Sequence, residues 1–192
     1  MRNKIHFYKR GLYLCVVMLA TVSCNDWLDV EPKSQVKDKD LFSSETGFKE
    51  ALSGVYSIMT QEYLYGKELT FGMLGVLAQE WDYQPMVYLD DKDYTYESIQ
   101  TEIRIDSLWC GLYNAIANTN KLLGEIDAKK SLFTNPNYEV IKGEALALRG
   151  FLHFDLLRLF GASYAEDPAK KAIPYVTEYT PAPGAFTTRA GG

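Results

Sequence analysis

Between Trp81 and Glu97 the chain reads WDYQPMVYLDDKDYTYE, a stretch of aromatics and acids with Pro85 inside it and no helical period. Flat aromatic faces pack on the apolar C–H faces of sugar rings, while neighbouring carboxylates and amides bond the hydroxyls. Trp81, Tyr83 and Tyr96 are therefore candidate ligand-binding residues, with Asp82 a candidate for sugar hydroxyls. The rings of this loop set, which also includes Tyr63, Tyr65, Tyr88 and Tyr94, equally suit covering a helix core or meeting a partner protein. Asp91, Asp93, Glu97 and Glu102 fall at positions 1, 3, 7 and 12 of a calcium-loop count, but Tyr96 stands where the sharp turn needs glycine. A solvated acidic loop is the expectation.

Catalytic groups are scarce. The two histidines, His6 and His153, cannot form a histidine-pair metal motif, and His153 reads as a helix-surface or packing residue. No Gly-x-Ser-x-Gly, Walker or Rossmann fingerprint occurs. No enzyme, metal site or cofactor is implied. Asn120, on a stripe with Trp109 and Tyr113, reads as a buried amide, and Arg149 and Arg158 as partners of Glu144 and Asp155.

Cys24 sits where an apolar run gives way to acidic sequence, in LATVSCNDWLD. The run is preceded by Arg2, Lys4, Lys9 and Arg10 and ends at the small Ser23, the build of a secretory signal over residues 1–23. Residues 11–22 would reach roughly 18 Å as a helix, short of a ~30 Å hydrocarbon core. Cys15 leaves with the signal, which deprives Cys24 of a nearby disulfide partner. Covalent modification of Cys24 as the first mature residue is the reading that remains. The mature chain carries 16 basic against 25 acidic residues, a net charge of −9 that argues against nucleic-acid binding.

The positioning elements are helices. Residues 24–40 read as a polar tether, and residues 41–192 as one domain. Apolar spacing predicts helices over about 45–62, with Ser44 as N-cap, and, more weakly, over 67–80 despite Gly72 and Gly75. A third runs from about 99 or 106 to 126. The fourth has Asn135 as N-cap, Pro136 at its first position and Gly161 past its end, with an apolar face of Val140, Ile141, Ala145, Leu148, Leu152, Leu156 and Leu159. Four helices in sequence predict paired helical hairpins.

Several segments together resemble the SusD/RagB family of outer-membrane nutrient-binding lipoproteins. They are CNDWLDVEP from Cys24, GFKEALSGVYSIM from Gly47, LWCGLYNAIANTNKLLGEI from Leu108, GEALALRGFLHFDLLRLFG from Gly143, and IPYV from Ile173. Ser23 and Cys24 fit the family's lipidation signal, with Thr21 where leucine is usual. The resemblance implies an all-α fold of tetratricopeptide-like helix pairs, of which this chain is expected to hold the N-terminal part. It implies a lipid (palmitate-type) anchor on Cys24 at the outer membrane, with placement at the cell surface. It also implies capture of glycans and their delivery to a SusC-type TonB-dependent transporter. A peptide-binding RagB-like role, or a scaffold docking the transporter without glycan, are the alternatives.

Overall fold

The computed structural model describes residues 40–80, 86–163, 165, 170 and 172–180. The signal, residues 24–39 of the tether, Cys24, Trp81, Asp82 and Tyr83 lie outside the described residues. The fold is all-α, with no strand among the described residues.

Helix α1 spans Glu45–Met59 and starts where expected: the Ser44 side chain accepts the Gly47 amide at 3.2 Å. Phe48, Leu52 and Val55 recur at helical spacing and are buried. Gly47 is required by proximity, since a Cβ there would lie 1.6 Å from the Leu41 carbonyl oxygen.

The second expected helix is largely absent. Residues 60–72 form successive turns, held by Tyr65 N–H to Met59 O at 3.0 Å and Gly72 N–H to Lys67 O at 2.8 Å. Only Met73–Leu77 is helical, here α2. Gly72 has ψ −115°, outside helical geometry, and the Met73 amide goes to the Glu68 carboxylate at 2.9 Å. Of the two glycines expected to admit another helix, Gly72 thus interrupts this one, while Gly75 lies buried inside α2. The expected long loop also holds a 3-10 turn over Met86–Tyr88 and the short helix α3, Leu89–Lys92.

Helix α4, Ile99–Ile126, takes the longer of the two expected starts, because the Ser98 side chain caps it by accepting the Thr101 amide. It packs on both α1 and the last helix, α5, Asn137–Phe160. Leu108, Leu112, Ala115, Ile116, Leu122 and Ile126 of α4 meet Ile141, Ala145, Leu148, Leu152 and Leu156 of α5 in one core. Gly111 of α4 admits the Tyr63 ring, which a Cβ would approach to 2.6 Å.

Two details of α5 differ from expectation. Val140 is exposed, and Pro136, rather than Asn135, occupies the cap position without a side-chain cap bond. The start of α5 is instead tied to α1. Glu45 accepts from the Thr134 amide at 2.7 Å, the Thr134 hydroxyl at 2.9 Å and the Asn137 side chain at 2.7 Å. Phe42 and Phe133 flank Phe48 at this end, each with ring centroids 4.9 Å away.

Candidate functional site

Of the four expected ligand residues, only Tyr96 lies among the described ones. It is exposed, and both it and Tyr94 have positive φ, 55° and 56°. Left-handed backbone at a non-glycine residue costs on the order of 1–2 kcal/mol and persists where surroundings enforce it. Tyr94 is enforced by its hydroxyl, which donates to the Leu77 carbonyl at 2.6 Å and accepts from the Gln79 side chain at 3.3 Å. The Tyr96 hydroxyl is pushed up from its ordinary pKa, first by burial and then by the Asp91 and Tyr94 charges.

What holds this loop against α4 is a buried polar clasp. Arg104 of α4 reaches Asp91 of α3 in a short contact, donates to the Val87 carbonyl at 2.9 Å, and stacks on the Tyr88 ring with Cζ 4.2 Å from its centroid. The Tyr88 hydroxyl donates to Glu68 at 2.6 Å. Glu68 thereby joins the turn before α2 to the loop. Tyr88, grouped with the candidate capture rings on sequence, is a buried structural residue. Asp91 is fully buried with Oδ1 unpaired, and burial raises its pKa against the opposing pull of Arg104. Its pairing with a guanidinium, inside a helix, also removes it from the calcium-loop count. Among the described residues no group of three or more metal-ligating side chains converges.

A second assembly lies between α4 and α5, where residues 173–177 run along the groove. Four side chains bind that backbone. The Tyr113 hydroxyl donates to the Pro174 carbonyl at 2.8 Å, and the Asn120 amide to the Val176 carbonyl at 2.9 Å. Arg149 donates to the Thr177 carbonyl at 3.2 Å and to Asn120 Oδ1 at 3.3 Å. The Val176 N–H donates to His153 Nε2 at 3.1 Å, which leaves the ring proton on Nδ1 to donate to the Arg149 carbonyl at 2.8 Å. His153 is thus a buried neutral ring, its pKa lowered chiefly by burial. The expected packing roles of Asn120 and His153 hold. Arg149 differs, since it serves the strap instead of Glu144, whose carboxylate accepts the Tyr56 hydroxyl at 2.6 Å. Arg158 and Asp155 pair as expected, at 2.7 Å.

An open cleft of about 410 Å³ lies between the α2 region and the end of α5, lined by Thr70, Leu74, Ala78 and Glu80 on one side and Arg158 and Leu159 on the other. None of the expected ligand residues lines it. The groove, clasp and cleft were not singled out as sites by sequence spacing, because each joins residues far apart in the chain.

A family model described as SusD-like, "Starch-binding associating with outer membrane", matches residues 26–190. SusD-like protein P25 of Formosa agariphila is 20% identical over 153 residues, covering 76% of this chain and 29% of that protein. The chain therefore spans less than a third of the length of this curated relative. No solved structure gives a significant match.

Proposed function

The chain belongs to the SusD-like family, described as starch-binding and associated with the outer membrane, and from that premise we propose that it is a non-enzymatic, lipid-anchored glycan-binding protein. It captures oligosaccharide or polysaccharide at the cell surface and hands it to a SusC-type TonB-dependent transporter. The observation that carries the reading is the family match across residues 26–190. Exposed Tyr94 and Tyr96, held in left-handed backbone, support ligand contact at Tyr96. Trp81, Tyr83 and Tyr96 stack on sugar faces, and Asp82 accepts from hydroxyls. Cys24, after removal of residues 1–23, carries a diacylglycerol thioether and an acylated amino group, which together supply the more than one chain that stable anchoring needs.

Affinity electrophoresis through gels containing starch or other glycans tests the capture role. Retardation of the wild type, reduced in Trp81→Ala and in Tyr96→Ala, is the expected outcome. Retardation unchanged in both variants would overturn the site, and no retardation in any glycan would overturn capture. Release of reducing ends from a retained glycan would point to a hydrolase instead. For the anchor, labelled palmitate should enter the wild type and not Cys24→Ala.

A further inference from the structure

Among the described residues three non-glycines have positive φ: Gln79, Tyr94 and Tyr96. Two of them end helices. Gln79 follows the cap of α2, where its own N–H goes back to the Val76 carbonyl at 2.9 Å and the Glu80 N–H to the Gly75 carbonyl at 3.0 Å. Tyr94 follows the cap of α3 in the same way, with its N–H on the Asp91 carbonyl at 3.3 Å and the Thr95 N–H on the Asp90 carbonyl at 2.9 Å. This paired pattern closes many helices and places a left-handed residue just past the cap. Tyr96 lies beyond that turn and ends no helix. A bulky residue adopts left-handed backbone only where its surroundings enforce it, so Tyr96 needs another cause.

Asp90 supplies it. Its carbonyl takes the Thr95 N–H, one residue before Tyr96, and its carboxylate Oδ2 takes the Ser98 N–H at 2.6 Å, two residues after. Both ends of the segment 95–98 thus return to one residue, and the left-handed turn at Tyr96 is the bend between them. The post is itself fixed, because the next residue, Asp91, is held by Arg104. Ser98, through its hydroxyl and then its amide, and Thr95 hold the Asp90 carboxyl below its ordinary pKa, so it stays an ionised acceptor near neutral pH.

We propose that Asp90 is a positioning residue for ligand capture, clamping the segment 95–98 so that the Tyr96 ring is presented in one orientation before glycan arrives. A ring ordered in advance spares the ligand the cost of ordering it. The inference rests on the reading of Tyr96 as a glycan contact, and Asp90 acts through that ring and not on the sugar.

Two substitutions separate geometry from charge. Asp90→Asn keeps an acceptor at the same reach and removes the charge, while Asp90→Glu keeps the charge and moves the carboxylate by one methylene. In the full chain, NMR should show a strong intraresidue Hα–HN cross-peak at Tyr96, the mark of positive φ, in the wild type and Asp90→Asn. The cross-peak should be lost in Asp90→Glu and Asp90→Ala. Retention in starch gels should follow it, unchanged in Asp90→Asn and weakened about tenfold in the other two. Adding Asp90→Ala to Tyr96→Ala should weaken retention no further, because the one acts through the other. Far-UV circular dichroism separates these effects from a failed fold, and should Asp90→Ala unfold, the Asn and Glu pair carries the comparison. A cross-peak that survives in Asp90→Glu and Asp90→Ala would overturn the clamp. So would undiminished retention in them beside a loss in Tyr96→Ala, or losses that multiply in the double variant. A cross-peak that obeys Asp90 in a protein that starch does not retard, or that retains starch without Tyr96, would instead overturn the glycan contact at Tyr96 and with it this use of the clamp.

Discussion

At the scale of single residues, Arg104 is the group on which most of the loop's order rests. It is buried against Asp91, Glu68, the Tyr88 ring and the Val87 carbonyl, so its removal strands a buried carboxylate that is already poorly compensated. Breaking a buried ion pair from one side typically costs about 3–5 kcal/mol. Arg104→Met should therefore lower unfolding stability by that order in urea titrations, and the paired change with Asp91→Asn should recover a substantial part. Removing the clasp should also loosen Tyr94 and Tyr96, which makes glycan retardation a second readout of the same variant. The reach of Arg104 was not legible in the sequence: Asp91 and Arg104 lie 13 residues apart, across a helix start that only the Ser98 cap settles. The acid at 91 drew notice as a possible cation ligand because its neighbours are acids, while the cation it faces comes from the next element.

At the scale of elements, the glycines separate what local pattern can and cannot reveal. Gly47 and Gly124 both sit in helices where alanine is the better helix former, yet a Cβ at Gly47 strikes the Leu41 carbonyl and one at Gly124 meets nothing within 4 Å. Gly47→Ala should destabilise by about 3 kcal/mol, in the range of an overpacked core. Gly124→Ala should stabilise by about 1 kcal/mol. Thermal melts of the two variants would show opposite shifts. The three long helices were legible, because buried residues at three- and four-residue spacing and the Ser44 cap are local signals. The 67–80 helix failed because its apolar spacing competes with Gly72 and with Glu68, whose carboxylate takes an amide that a helix would have used. Asn120 and His153 were readable as buried polar groups, but their partner, the 173–177 backbone, lies 23 or more residues downstream, and nothing in the spacing gives that pairing.

Across the molecule, titrating groups tie α1 and the end of α4 to the start of α5, and the 173–177 strap to the later half of α5, so acid should undo the fold in two stages. The first stage concerns His153. Its folded pKa lies below the ordinary value of 6.5, so the unfolded chain takes up the proton first as the pH falls. Stability from this ring is complete above about pH 6.5 and is lost as pH falls through the lower folded value. Protonated Nε2 becomes a donor facing the Val176 N–H, which breaks the one strap bond in which the backbone donates. The second stage concerns Glu45, held down to about 2 first by Lys49 and then by Thr134 and Asn137. Asp127 is lowered by Lys142 and Tyr138, and Asp90 by Ser98. Their contributions are present above pH 4–4.5, where the unfolded carboxyls ionise, and fade as pH falls through the lowered folded values. Asp91 has the opposite sign, since its raised pKa means that the folded state binds the proton more readily and gains stability as the pH falls. Three lowered carboxyls at the surface stand against one raised carboxyl inside, and the expected net is a decline. Hydrogen exchange should show the Val176 amide, the one strap N–H held by a hydrogen bond, losing protection below about pH 6.5 while α4 and α5 keep theirs. Global unfolding followed by circular dichroism should begin only below about pH 4.5. In His153→Phe the Val176 amide should exchange fast at every pH, and in Glu45→Gln the first stage should remain while the acid limb begins from a lower stability. Simultaneous loss of strap and helix protection would show that residues 173–177 are part of the global folding unit, not a separately anchored segment.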